Sequence, residues 1–191
     1  MTTGFHRSRG GGAHAHLDEV EARMVASLAA QVVELLRDGV GARDDDAADP
    51  LTALVGLGAS GPLPTPDDPV VARLLPDAYA DDESEAADFR RHTEPGLRDR
   101  KVANASTVIA SLGDTDEGGG AGVDVDLDAG GVDAWLRCMT DVRLALGTRL
   151  GVGQDDDERW EQMPDDDPGK AMHDVYDWLG FVQETLLRTL R

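Results

Sequence analysis

Trp135-Leu136-Arg137-Cys138-Met139-Thr140-Asp141-Val142-Arg143-Leu144-Ala145-Leu146-Gly147-Thr148-Arg149-Leu150-Gly151 is the stretch on which the fold turns. With Val132 before it, the residues Trp135, Leu136, Met139, Val142, Leu146 and Leu150 recur every three or four positions. That is the spacing of one apolar stripe on an α-helix facing a core. Asp128 stands where an N-cap belongs, and Gly151 and Gly153 stand where such a helix ends.

Working outward, the C-terminal end carries a second stripe of Met172, Val175, Tyr176, Leu179, Val182, Leu186 and Leu190. A third is made by Leu17, Val20, Met24, Leu28, Val32, Leu35 and Leu36, closed by Gly39, and predicts a helix from about 16 to 38. Leu97, Lys101, Ala105, Val108 and Leu112 mark one face of a helix over 95–112, and Pro95 predicts a break from a preceding helix over 81–91. Shorter helices are predicted at 50–57 and at 70–75, the latter entered through Pro69. Val123-Asp124-Val125-Asp126-Leu127 alternates as a half-buried strand does. One strand cannot stand alone, and Phe5 to Ser8 is its expected partner.

These elements predict a mostly α chain: a single-domain helical bundle of four to six helices over 1–191, with a small two-stranded antiparallel β element. Residues 1–12 read as an edge strand or tail, and 113–122 and 153–169 as flexible acidic loops.

Composition narrows the function classes. The 191 residues carry 18 basic against 38 acidic side chains, a net charge of −20. Only Lys101 and Lys170 are lysines, leaving 16 arginines, so the bias reads mainly as genome composition. Such a charge repels phosphate backbones, and direct nucleic acid binding is not expected. No apolar run approaches the about 20 residues that cross a bilayer, so no membrane association is expected and the location reads as cytoplasmic. A single cysteine, Cys138, excludes an internal disulfide and lies beside the apolar stripe, where it reads as a small buried thiol.

Each candidate for chemistry has a plainer explanation beside it. His14-Ala15-His16 with Asp18 and Glu19 gathers metal-type ligands but reads as a helix entry. The aspartate runs 44–46, 155–157 and 165–167 lack the alternating ligands, glycine and closing glutamate of a calcium loop. Glu94, Asp141 and Glu184 are conceivable paired carboxylates, but no pocket is implied by their positions. Gly118-Gly119-Gly120 has no following lysine to make a phosphate cradle. No catalytic residue, metal or cofactor is therefore assigned.

The basic groups stand apart because they are interleaved with the helical stripes. Arg137, Asp141 and Arg143 read first as an internal salt-bridge set, Arg137 and Asp141 being four apart on one helix. Arg98 and Lys101 can reach Glu94 in the same way. The alternative is a partner-binding groove built from Arg90, Arg91, Glu94, Arg98, Lys101 and Arg149.

Several blocks taken together are familiar. They are Asp68-Pro69-x-x-x-Arg73-Leu74-Leu75-Pro76-Asp77-Ala78-Tyr79, Phe89-Arg90-Arg91-x-Thr93-Glu94-x-x-Leu97-Arg98-x-x-Lys101, Val125-x-Leu127-Asp128, and Asp141-Val142-Arg143-Leu144-Ala145-Leu146-Gly147-Thr148-Arg149-Leu150. With Tyr176-x-Trp178-Leu179-x-x-x-Gln183 they span nearly the whole chain. The chain resembles an actinobacterial family catalogued as a domain of unknown function, which includes the AosR oxidative-stress-responsive regulators. The resemblance implies a non-enzymatic regulator acting by protein contact in stress-linked transcription, through RNA polymerase or a sigma factor. The alternative, ranked second, is an adaptor or scaffold tied to Clp proteolysis or cysteine metabolism, and an enzyme comes third. The family's redox role rests on cysteine chemistry, and here Cys138 alone could serve it, by an intermolecular bridge or sulfenylation. The stripes on the first and last helices also leave a homodimer as an expectation.

Overall fold

The computed structural model describes residues 4–44, 66–76, 83–113, 122–153 and 157–191. In chain order the elements are β1 (His6–Arg7), β2 (Ala13–Leu17), α1 (Glu19–Asp44), α2 (Pro69–Leu74), α3 (Glu83–Leu112), β3 (Val123–Leu127), α4 (Ala129–Leu150), α5 (Asp157–Glu161) and α6 (Pro168–Arg188). The chain is mostly α with a small antiparallel sheet. Helix α4 is the centre, packing against α1, α2, α3 and α6 and against β3. Its stripe explains why: Val132, Trp135, Met139 and Val142 are fully enclosed. Trp135 donates through Nε1 to Ser111 Oγ at 2.9 Å and meets Phe5 edge to face, with ring centroids 5.1 Å apart.

The helix ends follow simple chemistry. Asp18 and Glu21 form a reciprocal capping box at the start of α1, each side chain accepting from the other's backbone N–H at 2.9 Å. Asp68 and Asp167 both precede a proline and both accept from the N–H two residues on, at 2.7 Å. Asp128 caps α4 as expected, and Gly151 closes it with a left-handed φ of 65°.

The structure differs from the sequence reading at several points, for physical reasons. The sheet has three strands, in the order β1-β2-β3, and β3 pairs with Ala13–Leu17 rather than with Phe5 to Ser8. Ala13, Ala15 and Leu17 face inward while His14 and His16 face out, so this is a half-buried strand written with small residues, not a helix entry. Helix α1 consequently starts at Glu19, and its buried line runs through Ala22, Val25, Ala29, Val32 and Leu36, leaving Val20 67% exposed.

Pro95 does not break α3, which runs without interruption from Glu83 to Leu112. The missing N–H removes one helical bond, while Glu94 and Arg98 on either side bind one another across the proline. The stretch read as an acidic loop over 153–169 includes the short helix α5 and, at Pro168, the start of α6. The helix read at 50–57 lies outside the described residues, as does most of the loop over 113–122. Among the described residues no helix is long and apolar enough to cross a membrane.

Candidate partner-binding surface

The predicted basic residues do not share one surface. Arg90, Glu94 and Arg98 are buried, and Arg91 is half-buried. Arg98 donates to Glu94 Oε1 at 2.6 Å and to the backbone carbonyl of Leu36, so its guanidinium ties α3 to α1. An ion pair so enclosed holds only while both partners are present, because either charge left alone is desolvated without compensation. These side chains act inside the packing.

Lys101 turns to a different carboxylate from the one its sequence spacing suggests. Its Nζ lies 2.5 Å from Asp141 Oδ1 on α4, with side-chain exposures of 15% and 6%. Burial raises the Asp141 carboxyl above its ordinary value, opposed by the Lys101 hydrogen bond and charge and then by Arg137. Arg137 pairs with Asp133 at 2.7 Å, one turn before it, rather than with Asp141 one turn after. The reason is that Asp141 points into the α3 contact while Asp133 and Arg137 both face solvent.

Arg143 lies along apolar surface as its position suggests, but meets no carboxylate among the described residues. It donates to Gln183 Oε1 at 3.0 Å and its guanidinium stands 4.7 Å over the Tyr176 ring, both on α6. Arg149 reaches Asp68 at 2.7 Å and so tethers the end of α4 to the cap of α2. Cys138 is 1% exposed. Its thiol is pushed up to about 12, by burial first and then by the Asp141 charge, which disfavours the reactive thiolate.

Around Lys101 and Asp141 the three helices α3, α4 and α6 leave an open groove of about 760 Å³. Its apolar floor includes Leu97, Leu136 and Leu187, and Arg100 and Arg137 stand among its polar lining with Asn104, Thr140 and Gln183. Gln183 is fixed there, donating to Thr140 Oγ1 at 2.7 Å and to the Leu136 carbonyl at 3.3 Å. Of the predicted set only Lys101, Arg137 and Asp141 border this groove. Leu97, Arg100, Asn104 and Leu187 were not singled out as contact residues. One signal was present: Leu187 falls outside the buried line of Leu179, Val182 and Leu186, and it stays 47% exposed.

A smaller pocket of about 320 Å³ lies between α1, α2 and α4, with Leu28, Val32 and Val142 at its base and Arg149 and Asp38 among its polar lining. On the outer face of the sheet, His14 and His16 pair across strands with Asp126 and Asp124 at 3.0 and 2.8 Å. Among the described residues no group of three histidines, cysteines or carboxylates is placed to hold a metal ion.

Comparison of the sequence with known proteins identifies the family. The chain belongs to the family described as Domain of unknown function (DUF2017), whose profile matches residues 2–190. Among curated relatives, the oxidative stress regulator AosR of Mycobacterium tuberculosis and of Mycobacterium bovis are each 32% identical over 184 residues, covering 89% of this chain and 78% of the relative. A Mycobacterium leprae protein with the same regulator designation is 29% identical over 189 residues, covering 88% of this chain and 82% of its own length. No solved structure matches the chain significantly.

Proposed function

We propose that this protein is a non-enzymatic regulator that works in the cytoplasm by protein–protein contact in stress-linked transcription, with RNA polymerase or a sigma factor as its partner. The observation that carries this reading is its similarity, over 89% of its length, to proteins named oxidative stress regulators. The open groove between α3, α4 and α6 supports it, because a leucine floor beside exposed arginines suits a protein segment better than a small substrate. Cys138 is enclosed, so the partner rather than a thiol switch within this chain is the centre of the reading.

The test is affinity capture from the source organism's own lysate at low and at moderate salt, with mass spectrometry of what is retained. Recovery of polymerase subunits or a sigma factor, diminishing as salt rises, supports the proposal. Recovery of Clp components or cysteine-synthesis enzymes instead moves the protein to an adaptor role, and retention of neither class counts against both.

A further inference from the structure

We infer that the groove between α3, α4 and α6 is the docking site for an acidic amphipathic helix of a protein partner. This rests on the regulator reading above and names the surface and the partner chemistry that it requires. Three leucines from three helices, Leu97, Leu136 and Leu187, supply apolar surface that the fold leaves partly open. Leucines one turn apart on an incoming helix match that kind of surface.

The charge points the same way. On a chain of net −20, most of the surface repels an acidic segment. In this groove the balance is reversed, with Arg100, Lys101 and Arg137 against Asp133 and Asp141. Lys101 and Asp141 hold one another at the base. Arg100 is exposed and has no carboxylate partner among the described residues. Among the described residues the one ion pair of Arg137 is with Asp133, 63% and 61% exposed, which water and salt already weaken and an incoming carboxylate can replace. The Asn104 side-chain amide, also without a hydrogen-bond partner among the described residues, can serve a backbone group of the incoming helix. Nucleic acid fits less well: among the described residues no aromatic ring lines the groove to stack a base, and Asp133 faces any phosphate.

The experiment is a fluorescence anisotropy titration of the full chain with a labelled synthetic helical peptide carrying leucines at i, i+4 and i+7 flanked by glutamates. A scrambled peptide of the same composition and a peptide with lysine for every glutamate are the controls. The glutamate peptide is expected to bind saturably and the two controls at least tenfold more weakly. Arg100→Glu and Leu187→Ser, both at exposed positions, should each weaken binding at least tenfold at unchanged melting temperature. Arg100→Glu should also narrow the preference for glutamate over lysine peptide, which a merely structural role would not do. No saturable binding, equal binding of the scrambled peptide, full displacement by inorganic phosphate at millimolar concentration, or indifference to both substitutions would each overturn the assignment. Capture from lysate with the doubly substituted protein separates the two ideas. Polymerase or sigma factor still retained refutes the groove but leaves the regulator reading, whereas a wild-type chain that binds the peptide yet retains no transcription protein refutes the reading and leaves the groove.

Discussion

Lys101 on α3 and Asp141 on α4 meet at 2.5 Å beneath the groove, joining the two helices through a pair that is almost closed to solvent. The two residues are 40 positions apart, and their pairing leaves Arg137 to face outward with Asp133. The arrangement that stabilises the helix contact is therefore also the one that leaves an arginine at the groove.

Removing the lysine leaves a buried carboxylate without its counter-charge. Lys101→Met is expected to cost about 3–5 kcal/mol near neutral pH, measured by urea unfolding. Asp141 already has a folded-state pKa above its ordinary 3.8, so the folded protein holds that proton more tightly than the unfolded chain. The group's contribution to stability is thus largest in acid and is lost as pH rises through the folded value. The Lys101→Met deficit should accordingly shrink as pH is lowered toward 3.8, and a deficit that grows on acidification would contradict the pairing.

Cys138 should behave as a core residue. With its thiol pushed up to about 12, iodoacetamide at pH 8 should label the native protein at least about a hundredfold more slowly than the urea-unfolded chain. Mass spectrometry after mild peroxide should find it unmodified. Rapid labelling of the folded chain would restore a thiol-based sensor.

Asp68 has two tasks, capping α2 through the Val70 N–H and holding Arg149. Asp68→Ala is expected to cost about 1 kcal/mol, the ordinary loss of an N-cap. Partial burial pushes its carboxyl up, but the Val70 N–H bond and Arg149 together outweigh that and hold it below 3.8. Its stabilising contribution is therefore present above 3.8 and lost as pH falls through the folded value. Thermal melts of the wild type and Asp68→Ala should converge in acid.

Trp135 is the largest fully enclosed side chain. Trp135→Ala is expected to cost about 3–5 kcal/mol, because it opens a cavity where α3, α4 and Phe5 converge. Trp135→Phe should cost less, losing chiefly the bond to Ser111.

Much of this architecture was legible because apolar spacing and capping chemistry are local. The stripe from Val132 to Val142, the Asp128 cap and the Pro69 start all follow from a few neighbouring residues. Strand β2 was not, since Ala13 and Ala15 give a faint alternation and its partner lies more than a hundred residues away. Pro95 misleads for the opposite reason: its local preference is overridden by the Glu94–Arg98 pair and by packing on α1. The groove could not be read at all from one helix. Leu97, Leu136 and Leu187 come together only through the mutual rotation of α3, α4 and α6, and that rotation is set by tertiary packing.

Binding of the transcription machinery through that groove can be measured directly. Purified actinobacterial RNA polymerase, with and without sigma factor, can be flowed over the immobilised full chain by biolayer interferometry across a salt series. Saturable binding that weakens with salt and falls at least tenfold with Arg100→Glu is expected of a regulator that docks its partner there. Absence of binding to either form at low salt would contradict that role.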